Sequence, residues 1–209
     1  LMVSLPMTGS RFIGSLTYFF EPIIMVLGIS ALQSQWMVQA YGQLNGYVLP
    51  ILTMPSFITI TLSNFLLPSF TYHFSRGNVG QAKKLFHVIF GCCFAIGITC
   101  SFICYQYSES LLQLFYHNQH GSYVLKQLAW PFALYSLQPP LSMMLHALSR
   151  SHRAMIDTFL GSLTRILCVT FLTKILLTDA LPLALVTGML VTTILHSINL
   201  MVTFRRSSL

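Results

Sequence analysis

The chain has 209 residues, of which 55% are hydrophobic and only 7% are charged. Soluble domains average about 25% charged residues, so this composition excludes an ordinary soluble globular protein and indicates a membrane protein. The formal net charge is +7, but no basic stripe lies in a soluble segment, so we expect no nucleic acid as a partner.

Six long apolar runs follow one another along the chain. A spanning helix needs roughly 20 residues to cross about 30 Å of hydrocarbon, where lipid offers no partner to bare backbone groups. The runs do not alternate apolar with polar residues, which argues against an outer-membrane barrel. The sequence therefore predicts an all-α, polytopic membrane protein. Residues 1–209 are expected to form one bundle with spans at about 3–29, 44–72, 85–107, 123–148, 155–177 and 182–204.

The first predicted span carries two charged residues, Arg11 and Glu21. Ten residues along a helix give about 15 Å of rise and about 280° of net rotation, so the two side chains cannot meet within one straight helix. They are expected to form separate sites at two depths. Glu21 is explained equally well as a neutral, protonated acid or as a functional anion.

The second predicted span combines prolines at positions 50, 55 and 68 with a polar stripe. On a helical wheel the stripe falls within about 140° of arc. Two interpretations stay open: hydrogen bonds between packed helices, worth about 0.6 kcal/mol each, or the wall of a cavity with flexible joints. The stripe consists of Thr53, Ser56, Thr59, Ser63 and Asn64.

The third predicted span has small residues along one side. Such residues let helices approach closely, so this side is expected to pack against a neighbouring helix. Thiols in an apolar span do not suit zinc, so we expect no metal, and we expect no other cofactor. No cysteine lies in a loop, so no extracellular disulfide is implied. The residues are Cys93, Gly97, Cys100, Ser101 and Cys104.

The fifth predicted span contains a second internal cation, Arg165. A charge at mid-bilayer costs at least about 2.5–3.5 kcal/mol on insertion scales, so Arg11 and Arg165 each need compensation. One alternative is a water-filled cavity, and the other is a structural pairing with Glu21, Asn64 or a backbone carbonyl. The cavity is the stronger of the two expectations.

The remaining Lys and Arg residues predict the orientation. Lys126 and Lys174 stand on one side of the predicted membrane, and seven basic residues stand on the other. By the positive-inside rule the seven are cytoplasmic, and so are both ends of the chain. The seven are Arg76, Lys83, Lys84, Arg150, Arg153, Arg205 and Arg206.

Catalytic signatures are missing from the sequence, which contains no H-E-x-x-H, G-x-S-x-G or P-loop pattern. Of the four acidic residues, only Glu21 falls well inside a predicted span. Glu109, Asp157 and Asp179 lie at or beyond the predicted span ends. We therefore expect that the chain is not an enzyme.

Two stretches carry a resemblance to a known family. SLPMTGSRFIGSLTYFFEPI, followed by QAYGQLNGYVLPILTMPSFITITLSNFLLPSFTYHFSRGN, resembles the SpoVB and MurJ group of polysaccharide and lipid II flippases in the MATE-like (MOP) exporter superfamily. The most specific part is a loop, a proline-broken span ending in Leu-Pro-Ser, and a basic turn. The resemblance runs over nearly the whole chain and is diffuse after about Lys84.

The resemblance implies two six-helix lobes that face each other across a central cavity, with this chain as the second lobe. Position 1 is Leu and the first span begins at once, so we expect a fragment whose first lobe is encoded upstream or lost. Arg11 and Arg165 are the cations that the resemblance implies for a diphosphate. Gln43 and Asn45 are neutral where the lipid II type often has a charge, which leaves other polyprenyl-diphosphate-linked saccharides open.

Three functions remain as hypotheses. The first is part of a flippase in the cytoplasmic membrane, which moves a lipid-linked cell-wall or polysaccharide precursor by alternating access with membrane lipid around it. The second is a non-transporting half-lobe remnant or an interaction subunit, because one lobe encloses no pathway. The third is a drug or cation antiporter, which ranks lower since only Glu21 is available as an intramembrane acid.

Overall fold

A computed structural model describes residues 4–27 and 29–206, so the predicted start of the first span at residue 3 lies outside the described residues. The described part is helical and contains no strand, which confirms the all-α prediction. Its helices are α1 Ser4–Val26, α2 Ala31–Gln43, α3 Leu49–Ser75, α4 Val79–Gln106, α5 Ser108–Tyr116, α6 Ser122–Tyr135, α7 Gln138–Ala147, α8 Ser151–Leu176 and α9 Ala180–Arg206.

Helix α2 lies between the first two predicted spans, in the stretch that connects them. Ser30 begins the helix: its hydroxyl accepts a hydrogen bond from the Gln33 backbone N–H, and the Gln33 side chain accepts one from the Ser30 N–H. This reciprocal capping satisfies two backbone donors that the first turn would otherwise leave bare. The sequence carries the matching Ser-x-x-Gln signal at Ser30 and Gln33.

A short π-helix, Leu44–Val48, joins α2 to α3 without a break in the chain of helical turns. The Leu49 N–H donates to the Leu44 carbonyl, five residues back. Pro50 follows at once, and since proline has no N–H it cannot bond to the carbonyl four residues earlier. The π-helical turn therefore lies directly before the proline that lacks a backbone N–H, at the junction of α2 and α3.

The fourth predicted span, 123–148, is not one helix. It divides into α6 and α7 around Ser136 and Leu137, just before Pro139 and Pro140. The Ser136 hydroxyl donates to the carbonyls of Ala133 and Cys93, at 2.7 and 3.0 Å. Ser136 thereby ties the break to α4.

The helices pack in two groups with a cleft between them. Helix α1 packs along α8, and α8 packs along α9. Helix α3 packs along α4 and α7, and α4 packs along α6. Contacts of α9 with α6 and α7 join the groups. Helices α1 and α3 therefore stand on opposite sides of the cleft.

Two apolar cores hold this arrangement together, one toward each end of the bundle. The first is built around Met25, Met37, Leu112, Leu125 and Leu181. The second surrounds the fully buried ring of Phe70, which packs against the rings of Phe74 and Phe204.

The second core lies at the end where the basic residues gather, which we name the basic end. Lys83, near the start of α4, lies 5.9 Å from the ring centroid of Phe204 near the end of α9. Arg76 follows α3 and stacks over Tyr72, and Arg150 precedes α8. At the opposite end, Lys126 pairs with Glu109 at 3.3 Å on the surface.

Three helical stretches in the described residues are long and apolar enough to cross a membrane: Ala31–Ser75, Val79–Gln106 and Ser151–Arg205. The last contains α8 and α9, which turn back on each other at Leu177, where φ is +49°. These stretches agree with a multi-pass membrane protein. The six predicted crossings remain a prediction.

Candidate functional site

A buried ion pair joins α1 to α8. Arg165 donates from Nε to Oε1 of Glu21 at 2.8 Å and from Nη2 to Oε2 at 2.6 Å. Glu21 is 1% exposed and Arg165 is 8% exposed. Two parallel bonds between a guanidinium and a carboxylate fix orientation as well as charge. Of the two predicted alternatives for Arg165, pairing with Glu21 is therefore present in the structure.

Aromatic side chains from α1 and α2 surround the pair. The guanidinium carbon of Arg165 lies 4.7 Å from the centre of the Tyr18 ring, within range of a cation–π interaction. Tyr41 donates from its hydroxyl to the backbone carbonyl of Tyr18 at 3.3 Å. Helix α2, absent from the predicted spans, thus contributes to the setting of Glu21.

Two glycines bring α8 and α9 close enough to set the position of Arg165. A methyl group added at Gly188 would lie 2.8 Å from the Arg165 Cβ and 2.8 Å from the carbonyl oxygen of Gly161. A methyl group at Gly161 would lie 2.8 Å from the Gly188 carbonyl oxygen. Contacts this short leave no room for a side chain, so glycine at both positions permits the crossing.

The cleft between α1 and α3 has a volume of about 540 Å³, within the range of small-molecule sites. Helices α1, α3, α6, α7, α8 and α9 all contribute to its walls. Four of the predicted cavity residues line it, namely Arg11, Thr53, Ser56 and Arg165. Several further polar residues that the sequence did not single out also line it: Thr17, Gln138, Ser142, Thr158, Ser162, Thr192 and His196.

Arg11 is exposed at the cleft and has no carboxylate partner among the described residues. Glu21 is held by Arg165, Glu109 by Lys126 and Asp157 by His196, and Asp179 lies elsewhere on the surface. The cleft therefore contains one cation that is neutralised by the protein and one that is not.

The polar stripe of α3 does not face one environment. Thr53 and Ser56 line the cleft, whereas Thr59 and Ser63 are fully buried and donate to carbonyls of their own helix. Asn64 is exposed outside the cleft lining. The stripe predicted from the helical wheel therefore lies partly in the cleft and partly in the protein interior, because the second half of α3 packs against α4.

A second buried polar cluster lies toward the basic end and was missed in the sequence. His196 Nδ1 lies 2.9 Å from Asp157 Oδ2, and Asn199 donates to both carboxylate oxygens at 2.8 and 2.9 Å. Arg153 donates to the Asn199 side-chain oxygen at 3.3 Å. Asp157 was placed at a span end because the span was begun at residue 155, whereas α8 begins at Ser151 and buries it.

The small-residue side of α4 packs as the sequence suggested. A methyl group at Gly97 would lie 2.7 Å from the Ala133 carbonyl; Cys93, Ser101 and Cys104 are buried, and Cys100 is half-buried. Within the described residues no group of three His, Cys, Asp or Glu side chains is arranged to hold a metal ion.

Two curated proteins are similar to this chain. It is 33% identical over 201 residues to stage V sporulation protein B of Bacillus subtilis (strain 168), a match covering 94% of this chain and 39% of that protein. It is 30% identical over 141 residues to sporulation protein YkvU of the same organism, covering 66% of this chain and 31% of that protein. The chain thus spans less than half the length of these relatives. No family model matches the chain, and no solved structure matches it.

Proposed function

Because this chain belongs to the family of stage V sporulation protein B, we propose that it is part of a membrane flippase or exporter. The substrate is a lipid-linked saccharide of the polyprenyl-diphosphate class, and it crosses the cytoplasmic membrane by alternating access. The chain supplies one lobe, and a first lobe in the same or a separate chain closes the pathway.

One observation carries this proposal: Arg11, an exposed guanidinium with no carboxylate partner among the described residues, lines a polar cleft. A guanidinium keeps its charge at all relevant pH values and donates two parallel hydrogen bonds to phosphate oxygens. An unneutralised cation inside a membrane protein is costly unless water or an anion compensates it. A diphosphate entering the cleft supplies that anion.

The rest of the cleft supports the same assignment. Hydroxyl and amide groups of Thr53, Ser56, Ser142 and Gln138 line it, and these groups exchange hydrogen bonds with a hydrated headgroup without adding charge. The cleft lies between α1 and α3 and is partly open, so one side of it is uncovered. A second lobe that meets this side would enclose the headgroup.

The orientation is proposed from the charges. Several basic residues lie toward one end of the bundle, and this asymmetry supports a cytoplasmic basic end. They include Arg76, Lys83, Arg150 and Arg205. Both termini are then cytoplasmic, and the Lys126–Glu109 end faces outward.

Substitution of Arg11 tests the function. In the native protein in proteoliposomes, Arg11→Ala should abolish flipping of a fluorescent polyprenyl-diphosphate saccharide while membrane abundance stays normal, because removal of an internal cation eases insertion. Arg11→Lys keeps the charge but loses the planar fork, so flipping should fall to an intermediate rate. Normal flipping by Arg11→Ala would refute the substrate-site role.

A labelling experiment tests whether the cleft is wet. In a background without native cysteines, Ser56→Cys should react with a small, membrane-impermeant thiol reagent, because Ser56 lines the cleft. Ser63→Cys should remain unlabelled, because Ser63 is fully buried on the same helix. Equal labelling at both positions would contradict a water-filled cleft bounded by this face of α3.

A further inference from the structure

A second cleft lies at the end of the bundle opposite the basic end. Its volume is about 350 Å³, within the range of small-molecule sites. Three segments of the chain form it: helix α2, the first turn of α6, and the turn between α8 and α9. It is separate from the central cleft, because the two clefts share no lining residue, and Arg11 and Arg165 line only the central one.

Two aromatic rings stand at this second cleft, Trp36 on α2 and Tyr123 on α6. Trp36 is 55% exposed and Tyr123 is 64% exposed. Both rings are therefore accessible to a ligand and are not buried in an apolar core. Exposed Trp and Tyr also occur at the headgroup level of membranes, so the rings alone do not identify a ligand.

The polar residues of the second cleft distinguish a ligand site from a pair of rings at the membrane surface. Gln39 and Gln43 lie on α2, and Thr178 and Asp179 lie on the 3₁₀ turn Leu177–Asp179. None of these four side chains hydrogen-bonds to another described residue. The two amides each offer donors and an acceptor, and the carboxylate offers two acceptor oxygens, which match the neighbouring hydroxyl groups of a sugar ring.

The charge of the second cleft disfavours an anionic lipid headgroup. Asp179 is the single charged residue in its lining, and no Lys or Arg of the described chain joins it. A phosphate headgroup would meet a carboxylate without a cation to offset it, which disfavours binding. A neutral polyhydroxylated ligand meets no such penalty.

The walls of the second cleft are held in place by the fold. Gly121, at φ +89°, caps the start of α6, and a methyl group there would lie 2.9 Å from Val48 Cγ2 and 4.0 Å from Gln43 Cβ. This close approach holds the Tyr123 turn against α2. Leu44 and Leu181 form a buried floor that belongs to the first apolar core.

We propose that the second cleft is a saccharide-binding site, where Trp36 and Tyr123 stack on the apolar faces of a sugar and Gln39, Gln43 and Asp179 hydrogen-bond to its hydroxyl groups. Aromatic rings supply a large apolar surface at low entropic cost, and the polar groups fix orientation. The place of this site in transport rests on the proposed function: it receives the saccharide of the substrate on the outer side of the membrane.

Binding of soluble sugars tests the site. The native protein in phosphatidylcholine nanodiscs is titrated with maltose, cellobiose and the disaccharide of N-acetylglucosamine, and binding is followed by saturation-transfer difference NMR. At least one of these should bind. Trp36→Ala and Asp179→Asn should each weaken that binding about tenfold or more. Absence of binding by all three would overturn the proposal.

Trp130→Ala is the matched control, because Trp130 is also a half-exposed tryptophan but lies outside the second cleft. It should leave saccharide binding unchanged. Equal effects of the two tryptophan substitutions, or none from either, would show that saccharide binding does not depend specifically on Trp36 and would overturn the site. Asp179 is exposed, so its substitution tests the site even if Trp36→Ala fails to fold.

Flipping assays on the same variants separate the two proposals. Saccharide binding that depends on Trp36, in a protein that flips no lipid-linked saccharide, would refute the proposed function and leave the site standing. Flipping that is normal in Trp36→Ala, together with absent saccharide binding, would refute the site and leave the function standing.

Discussion

Arg165 and Arg11 both line the central cleft, and the fold compensates their charges differently. Arg165 is 8% exposed and holds a carboxylate through two hydrogen bonds. Arg11 is exposed and has no acidic partner among the described residues. Each cation in a membrane protein needs either a partner or water, and these two illustrate one solution each.

The difference indicates which of the two charges serves the fold. A paired, buried arginine is constrained, and loss of its partner leaves an uncompensated charge in a medium that solvates it poorly. An exposed arginine at a cleft contributes little to folding and remains available to an anion. The contrast predicts that substitutions at the pair change stability and that those at Arg11 change function.

The largest expected effect comes from Glu21→Gln. Arg165 cannot lose its proton, so it would stay charged and buried, and the free energy of unfolding should fall by about 3–5 kcal/mol. Arg165→Met should cost less, because the abandoned Glu21 can take up a proton. Unfolding in mixed detergent micelles measures both changes.

Two controls sharpen this test. Glu109→Gln makes the same chemical change in the exposed pair with Lys126 and should have little effect. The double variant Glu21→Leu, Arg165→Met removes both charges and should recover most of the lost stability. A double variant whose loss equals the sum of the single losses would show that the pair is not the source of the effect.

A smaller effect is expected from Gly188→Ala. The new methyl group would meet the Arg165 Cβ and the backbone of Gly161, so α8 and α9 must separate, at a cost of about 1–3 kcal/mol. Gly91→Ala on α4 is the control, since nothing lies within 4 Å of the added methyl group. It should be neutral or stabilising by about 0.5–1 kcal/mol. Equal unfolding midpoints for the two variants would contradict close packing at Gly188.

The smallest effect is expected at Tyr18, whose ring faces the Arg165 guanidinium at 4.7 Å. Tyr18→Leu removes the ring and should lower stability by about 0.5–1 kcal/mol, as befits a half-exposed cation–π contact. Tyr18→Phe keeps the ring and should lose less. Identical losses in Leu and Phe variants would assign the effect to the hydroxyl group instead of the ring.

The sequence anticipated the helical class and drew attention to Arg11, Glu21 and Arg165. It also excluded contact between Arg11 and Glu21 within one straight helix, and in the structure Glu21 meets Arg165 of another helix. The described helices differ from the predicted spans at their ends: α2 lies between the first two spans, and Asp157 lies at a predicted span end although α8 buries it. Boundaries are decided by capping and packing, which hydropathy does not record.

By itself, the sequence determined that the chain enters a membrane, because long apolar runs with few charges allow no other solvent. It also determined that two internal arginines need compensation. Only the tertiary structure decided which arginine is paired, because the partner stands 144 positions away on a different helix. Only the tertiary structure placed Thr53 and Ser56 in the cleft and Thr59 and Ser63 in the interior. A helical wheel gives the direction of a side chain but not the neighbour that it meets.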